Sequence, residues 1–150
     1  MAVQLAKAHG ARVNGTASGS EHIKRIQDLG CDQAIDYKTT RFEDHVRDVD
    51  VVLDPVSGDS QRRSFGVLKK GGILVALTEE PRQDLAQEKG VRATMIGVKP
   101  DGRRLADIGK FIDDGKLRPL VQAVFPLKQA KEALELSRSR HAAGKIVLAI

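Results

Sequence analysis

The sequence predicts a doubly wound α/β domain, a parallel sheet with helices on both faces. Three observations carry this expectation. Apolar periodicity alternates between helix and strand from end to end, and Gly or Pro stands at most of the switches. The apolar residues are Val, Ile, Leu and Ala, with aromatics at only 3% and no Trp among 150 residues. Strands that alternate with helices pair in parallel, because parallel neighbours need a crossover connection.

In chain order, residues 2–9 read as a helix stopped by Gly10, and 11–16 as a strand ending in the small polar run 17–20. Ile23, Ile26 and Leu29 mark one face of a second helix, closed by Gly30. A short strand, 33–36, leads to Tyr37, and Thr39 or Thr40 is placed to cap a brief helix carrying Phe42 and Val46. Residues 49–53 (VDVVL) form the clearest buried strand. Beyond Ser57-Gly58, Asp59 or Ser60 caps a helix with Phe65 and Leu68 facing inward, ended by Gly71-Gly72. A strand at 73–78 follows, then a helix with Pro81 in its first turn that runs to Lys89 and stops at Gly90. A strand at 91–98 precedes an amphipathic helix with Leu105, Ile108 and Ile112 on one face, stopped by Gly115. Residues 120–125 are extended, 127–138 helical, and 145–149 a last strand.

With 41% hydrophobic and 30% charged residues, the chain has apolar material for one domain and does not read as disordered. Lys and Arg number 25 against 20 Asp and Glu, giving +5 with an isoelectric point near 9.5. Because the two signs are interleaved, this suits an anionic small ligand at least as well as nucleic acid. The basic pairs Arg62-Arg63, Lys69-Lys70 and Arg103-Arg104 fall on three predicted helices without interleaved aromatics, so they read as solvated surface and no nucleic-acid partner is expected. Cys31 is the single cysteine and no Cys/His cluster has structural-zinc spacing, so no metal is expected and a reducing, cytoplasmic setting is the default. No apolar run approaches the ~20 residues of a membrane span and no signal-peptide pattern opens the chain, so no membrane association is expected.

The segments VQLAKAHGARVNGTAS at 3–18, LGCDQAIDYKTTRFED at 29–44, VDVVLDPVSGDS at 49–60, GVLKKGGILVALT at 66–78 and GKIVLAI at 144–150 resemble, in order and spacing, the nucleotide-binding half of the medium-chain dehydrogenase/reductase superfamily. The resemblance is to its zinc-free NADPH:quinone oxidoreductase branch and runs from Met1 to Ile150. It implies a partial Rossmann domain over 1–150 that lacks the first strand and its glycine-rich turn, with the GroES-like catalytic domain absent; no G-x-G-x-x-G occurs in the sequence. It further implies NADP(H) as cofactor and hydride transfer to a quinone or enone in the intact relative. The isolated chain is expected to have little turnover. The alternative is a non-catalytic nucleotide-binding or dimerisation module derived from such an enzyme.

Ligands of such sheets bind at the carboxyl ends of the strands. Where an Asp or Glu would select NAD, this chain has Thr16-Ala17-Ser18-Gly19-Ser20. The resemblance makes Ser18, Gly19, Ser20 and Tyr37 a pocket for the 2′-phosphate, with Lys24 or Lys38 nearby; the alternative is an ordinary polar turn. Relatives carry a Thr-Val-Gly-Gly-like turn beside the nicotinamide ribose where this chain has Asp54-Pro55-Val56-Ser57-Gly58, so Val56 and Ser57 are candidate contacts or simply link strand to helix. Leu77 and Thr78 end the next strand, where the resemblance implies that they lie along the cofactor; the alternative is an ordinary strand end. Gly144 lies in a segment that approaches the nicotinamide in relatives, next to His141. His9, His22 and His45 read as surface residues, and no nucleophile-and-base pair appears, so no catalytic residue is assigned. Residues 91–98 stand where that branch pairs subunits antiparallel into one continuous sheet, which implies a homodimer. Proline at Thr94 or Ile96 is expected to disrupt it.

Overall fold

The computed structural model describes residues 1–139 and 144–150. Its elements run α1 (Ala2–Ala8), β1 (Asn14–Ala17), α2 (Ser20–Asp28), β2 (Gln33–Asp36), β3 (Val49–Asp54), α3 (Asp59–Ser64), β4 (Leu68–Ala76), α4 (Gln83–Lys89), β5 (Arg92–Met95), α5 (Gly102–Asp113), β6 (Val121–Pro126), α6 (Ala130–Arg138) and β7 (Lys145–Ala149). Single 3-10 turns occupy Phe42–Asp44, Phe65–Val67 and Leu127–Gln129. The alternation of strand and helix is the one expected from the sequence.

Among the described residues the strands form three ladders, β1-β2, β3-β4-β5 and β6-β7, rather than one continuous sheet. β3-β4, β4-β5 and β6-β7 are parallel. The chain divides into two compact units, residues 1–34 with 102–150, and residues 35–101.

In the second unit, Phe65, Leu68, Leu74, Ala76 and Ala86 form one apolar cluster and Ile35, Phe42, Val46 and Val67 another, with Val49 and Val52 packed against both. β3 is not the buried strand its composition predicts: Val51 is 58% and Leu53 45% exposed. Its β-branched run fits a strand covered on both edges, but among the described residues only β4 pairs with it.

Gly71-Gly72 does not end a helix. The helix stops at Ser64, and both glycines lie inside β4, as does the basic pair Lys69-Lys70. The register between β3 and β4 slips here, with Val49 opposite Leu68 but Val51 opposite Ile73. Gly71 takes φ 78, and a Cβ on Gly72 would stand 2.9 Å from the Lys69 carbonyl and 3.1 Å from that of Asp50. Glycine is therefore needed for the bulge, a role that reads in sequence like a helix stop.

Smaller departures have local causes. Thr39 and Thr40 cap no helix; the Thr39 hydroxyl donates to the Asp36 carbonyl, and Phe42–Asp44 makes only one 3-10 turn after Arg41. Neither Asp59 nor Ser60 caps α3, whose N-cap is Gly58. Pro81 precedes α4 by two residues, and Gly90 ends that helix in the left-handed conformation. β5 is shorter than 91–98, although Ile96 extends the ladder by donating its N–H to the Ala76 carbonyl at 3.0 Å.

In the first unit, Cys31 and Leu117 are buried apolar residues and Gln4 is a buried polar one. The Cys31 thiol donates to the Gln33 carbonyl at 3.1 Å, and its burial pushes the pKa up. No residue of α5 is buried, and Leu105 on its apolar face is 70% exposed. No described helix is long and apolar enough to cross a membrane.

Candidate cofactor site

The strand ends fall close to the expected positions. β1 ends at Ala17, and Ser18-Gly19 leads directly into α2, which begins at Ser20. Gly19 adopts φ 77 and ψ 155, a conformation open to glycine, and no side chain caps the helix. The Ser18 carbonyl meets His22 Nδ1 at 2.9 Å, which ties the turn to the first turn of the helix. No carboxylate lies between Thr16 and Ser20, and Glu21 in the first turn of α2 is paired with Arg25 at 2.8 Å, so the turn offers an anion hydroxyls and helix N–H groups that no side chain caps.

Tyr37 follows β2 and is 54% exposed. The Asp36 carboxylate accepts the Lys38 N–H at 3.0 Å, forming the turn that presents the tyrosine. Of the two lysines considered for the phosphate, Lys24 is committed to Asp28 at 3.1 Å. The Lys38 ammonium has no ion-pair partner among the described residues.

At the end of β3, Asp54 Oδ1 accepts the N–H groups of Val56 at 3.1 Å and Ser57 at 3.0 Å, so these two donors are not open to a phosphate. The turn thus satisfies its own donors. Asp54 is 4% exposed, and its Oδ2 is buried without a hydrogen-bond partner among the described residues. Sequence reasoning noted this aspartate but gave it no role; an Asp two and three residues before the N–H groups it accepts is the signal of such a turn. Ser57 has φ 70, a left-handed conformation uncommon for a residue other than glycine. Its hydroxyl lies 2.5 Å from that of Thr78, so the structure brings these two candidates together and couples the ends of β3 and β4. Val56 at 72% and Leu77 at 42% exposure present apolar surface beside them.

Gly144 stands immediately before β7. A Cβ there would stand 2.8 Å from the Leu120 carbonyl, and Lys145 donates its N–H to that same carbonyl at 2.7 Å. The glycine is needed for close backbone approach at the start of the β6-β7 ladder. His141 lies outside the described residues. His9, His22 and His45 are exposed, and His9 stacks on Phe111 with centroids 5.6 Å apart. Among the described residues no group of three or more His, Cys, Asp or Glu could hold a metal.

Comparison with known proteins then decides the family. The model for the family described as zinc-binding dehydrogenase matches residues 29–148. The chain belongs to this family. Within the zinc-binding dehydrogenases it is 29% identical, over 99% of its length, to a probable zinc-binding oxidoreductase, mitochondrial, from Arthroderma benhamiae, of which it covers 47%. It is 30% identical to the NADPH-dependent alkenal/one oxidoreductase, chloroplastic, of Arabidopsis thaliana, covering 99% of this chain and 36% of that protein. Among solved structures, the quinone oxidoreductase from Coxiella burnetii superposes with a TM-score of 0.88 at 31% identity, over 99% of this chain and 48% of the other. The chain therefore spans about half or less of the length of these relatives. The α/β fold with parallel ladders and the place in the medium-chain dehydrogenase/reductase superfamily are those the sequence motifs imply.

Proposed function

We propose that this chain is the NADP(H)-binding portion of a quinone- or enone-reducing oxidoreductase. The observation that carries the reading is the acid-free turn Ser18-Gly19-Ser20 at the uncapped start of α2. Two hydroxyls and a helix N-terminus favour a phosphate, whereas the carboxylate that ordinarily binds the ribose of NAD would repel it. In the second unit, the exposed Tyr37 ring and Lys38 ammonium at the end of β2 are further candidates for the phosphate, and the joined Ser57 and Thr78 hydroxyls with the apolar Val56 and Leu77 are candidates for the ribose and nicotinamide. The relatives include an NADPH-dependent alkenal/one oxidoreductase and a quinone oxidoreductase, which supports the same reading.

When bound, the nicotinamide supplies hydride chemistry. This chain's residues bind and orient, and none is assigned to proton transfer. The chain alone is expected to oxidise NADPH with quinones no faster than a protein-free control. Cys31 as a buried free thiol accords with a reducing, cytoplasmic setting, while the fungal and plant relatives carry mitochondrial and chloroplastic names.

The substitution Ser18→Asp tests the pocket. It is expected to weaken NADPH binding about tenfold or more while sparing NADH, since a lost hydrogen bond to a charged group is worth ~1.5–3 kcal/mol and repulsion adds to it. An unchanged NADPH affinity would remove Ser18-Gly19-Ser20 from the site.

A second reading, a dimerisation module that keeps the fold without the chemistry, draws on β5. Its edge away from β4 carries no strand among the described residues, and Ile96 and Val98 are 51% and 94% exposed. A self-complementary antiparallel contact along residues 91–98 would cover this edge and make a homodimer.

A further inference from the structure

We propose that the first unit carries a binding site for a small phosphate-bearing anion, with Arg118 as its principal contact. The inference stands independently of the cofactor reading. Two adjoining clefts of about 430 and 320 Å³ share Asp28, Leu29 and Arg118 in their walls. The larger is also lined by Gln4, Lys7 and Lys116, so it sets three cations against one carboxylate.

The ion pairs around the clefts single out Arg118. Lys7 is held by Asp32 at 2.9 Å, Lys116 by Asp114 at 2.9 Å, Lys24 by Asp28 at 3.1 Å and Arg25 by Glu21 at 2.8 Å. Each carboxylate that borders the clefts or pairs with their cations is thereby engaged. Arg118 is exposed, and its guanidinium has no ion-pair or hydrogen-bond partner among the described residues.

Its backbone, by contrast, is fixed. Gln4 donates to the Arg118 carbonyl at 3.0 Å and accepts its N–H at 2.7 Å, while the preceding Leu117 is 2% exposed. An unpaired guanidinium on an anchored backbone needs little reorganisation to grip a ligand, and its planar fork matches phosphate oxygens in pairs. Lys7 and Lys116 stay paired with Asp32 and Asp114, so the net positive charge at the cleft is that of the Arg118 guanidinium, with the two ammonium groups beside it as further hydrogen-bond donors. The cleft volume suits a small molecule, and the Lys116 ammonium at its wall lies 6.0 Å from the Phe111 ring.

Calorimetric titration of the full chain with inorganic phosphate and with pyrophosphate, at low ionic strength, tests the site. Saturable binding at one site per chain is expected, stronger for pyrophosphate and weakened by added salt. Arg118→Gln should weaken it about tenfold and Lys116→Gln less, while Lys128→Gln leaves it unchanged. Circular dichroism and the melting temperature of the Arg118 variant should match those of the unaltered chain, because its side chain makes no structural bond; if that variant is destabilised, Lys116→Gln becomes the deciding arm. A repeat in the presence of saturating NADPH separates a free anion from the cofactor's own phosphates, and unchanged pyrophosphate binding is expected. No saturable binding, binding indifferent to both substitutions, or binding abolished by NADPH would overturn the proposal.

Discussion

Gln4 and Arg118 hold each other through a reciprocal pair of hydrogen bonds, in which one side-chain amide serves both the N–H and the C=O of a single residue 114 positions away. Gln4 sits on α1 and is 9% exposed, so the amide is shielded from water where it meets the loop after α5. This pairing joins the two sequence-distant parts of the first unit. Gln4→Leu keeps the volume but leaves two backbone groups without partners, and is expected to cost ~1–3 kcal/mol. Urea unfolding with an unchanged slope and a lower midpoint would show this; a midpoint equal to that of the unaltered chain would contradict it.

In the second unit, Arg63 of α3 reaches both carboxylate oxygens of Glu43, at 3.1 and 2.9 Å, and lies over the Phe42 ring at 4.9 Å. Its Nε stands 3.0 Å from Asp59 Oδ2 but makes no hydrogen bond. Burial pushes the Glu43 pKa up, but its own backbone N–H and the Arg63 and Arg41 guanidinium groups outweigh that and hold it low. Glu43→Gln should cost ~1.5–3 kcal/mol, the range for hydrogen bonds to charged groups, and expose Phe42. The check is thermal unfolding together with faster amide exchange at Phe42 and Val46.

Gly72→Ala places a methyl against two carbonyl oxygens at 2.9 and 3.1 Å, both belonging to backbone that cannot swing aside. A loss of ~1–3 kcal/mol is expected from such overpacking. Gly66→Ala, where nothing lies within 4 Å of the added Cβ, is the matched control and should be close to neutral. Equal melting temperatures for the two variants would contradict the bulge at Gly71-Gly72.

Acid sensitivity follows from Asp32. The Val13 N–H at 2.7 Å and the Lys7 ammonium at 2.9 Å hold its carboxyl below the usual carboxylate range. Since the folded-state pKa is depressed, the stabilisation is complete above the unfolded value, about 4, and is lost as pH falls through the folded value. Asp84, pulled down to about 2 by the Arg82 guanidinium, gives up its share last. Stability should fall below about pH 4, and Asp32→Asn should flatten that fall. A pH series of urea midpoints with the same slope in both chains would exclude Asp32 as a contributor.

The β5 edge was legible as a candidate interface, but its hydrogen-bond direction was not. Ile96 donates to the Ala76 carbonyl, so by the alternation of the strand Thr94 also faces β4, whereas the N–H groups of Ala93 and Met95 turn outward. Proline at Thr94 or Ile96 would damage the internal ladder. Met95→Pro removes an outward donor and is the sharper test: the unaltered chain should scatter light as a dimer and the variant as a folded monomer. A monomeric unaltered chain would refute the dimer.

Periodicity and glycine placement made the order of elements readable, since side-chain burial and turn conformation are local demands that the sequence records directly. What escaped was set by partners distant in sequence. VDVVL reads as a covered strand whether or not a second strand lies beside it, so the exposure of Val51 and Leu53 left no trace in those residues. Gly71-Gly72 carries the same signature as a helix stop and a bulge, and only the register of β3 against β4 separates the two. At the candidate site, the absence of an acid at residues 16–20 was readable, because selectivity there depends on residue type. The capture of the Val56 and Ser57 N–H groups by Asp54, and of Lys24 by Asp28, depends on geometry.

The central claim is that this chain carries the NADP(H) site of an oxidoreductase, and calorimetric titration of the unaltered chain with NADPH and NADH in one buffer tests it most directly. The account predicts one NADPH site per chain, bound at least about tenfold more tightly than NADH, as hydrogen bonds to a charged phosphate of ~1.5–3 kcal/mol each require. Equal or reversed affinities, or no binding of either nucleotide, would contradict it.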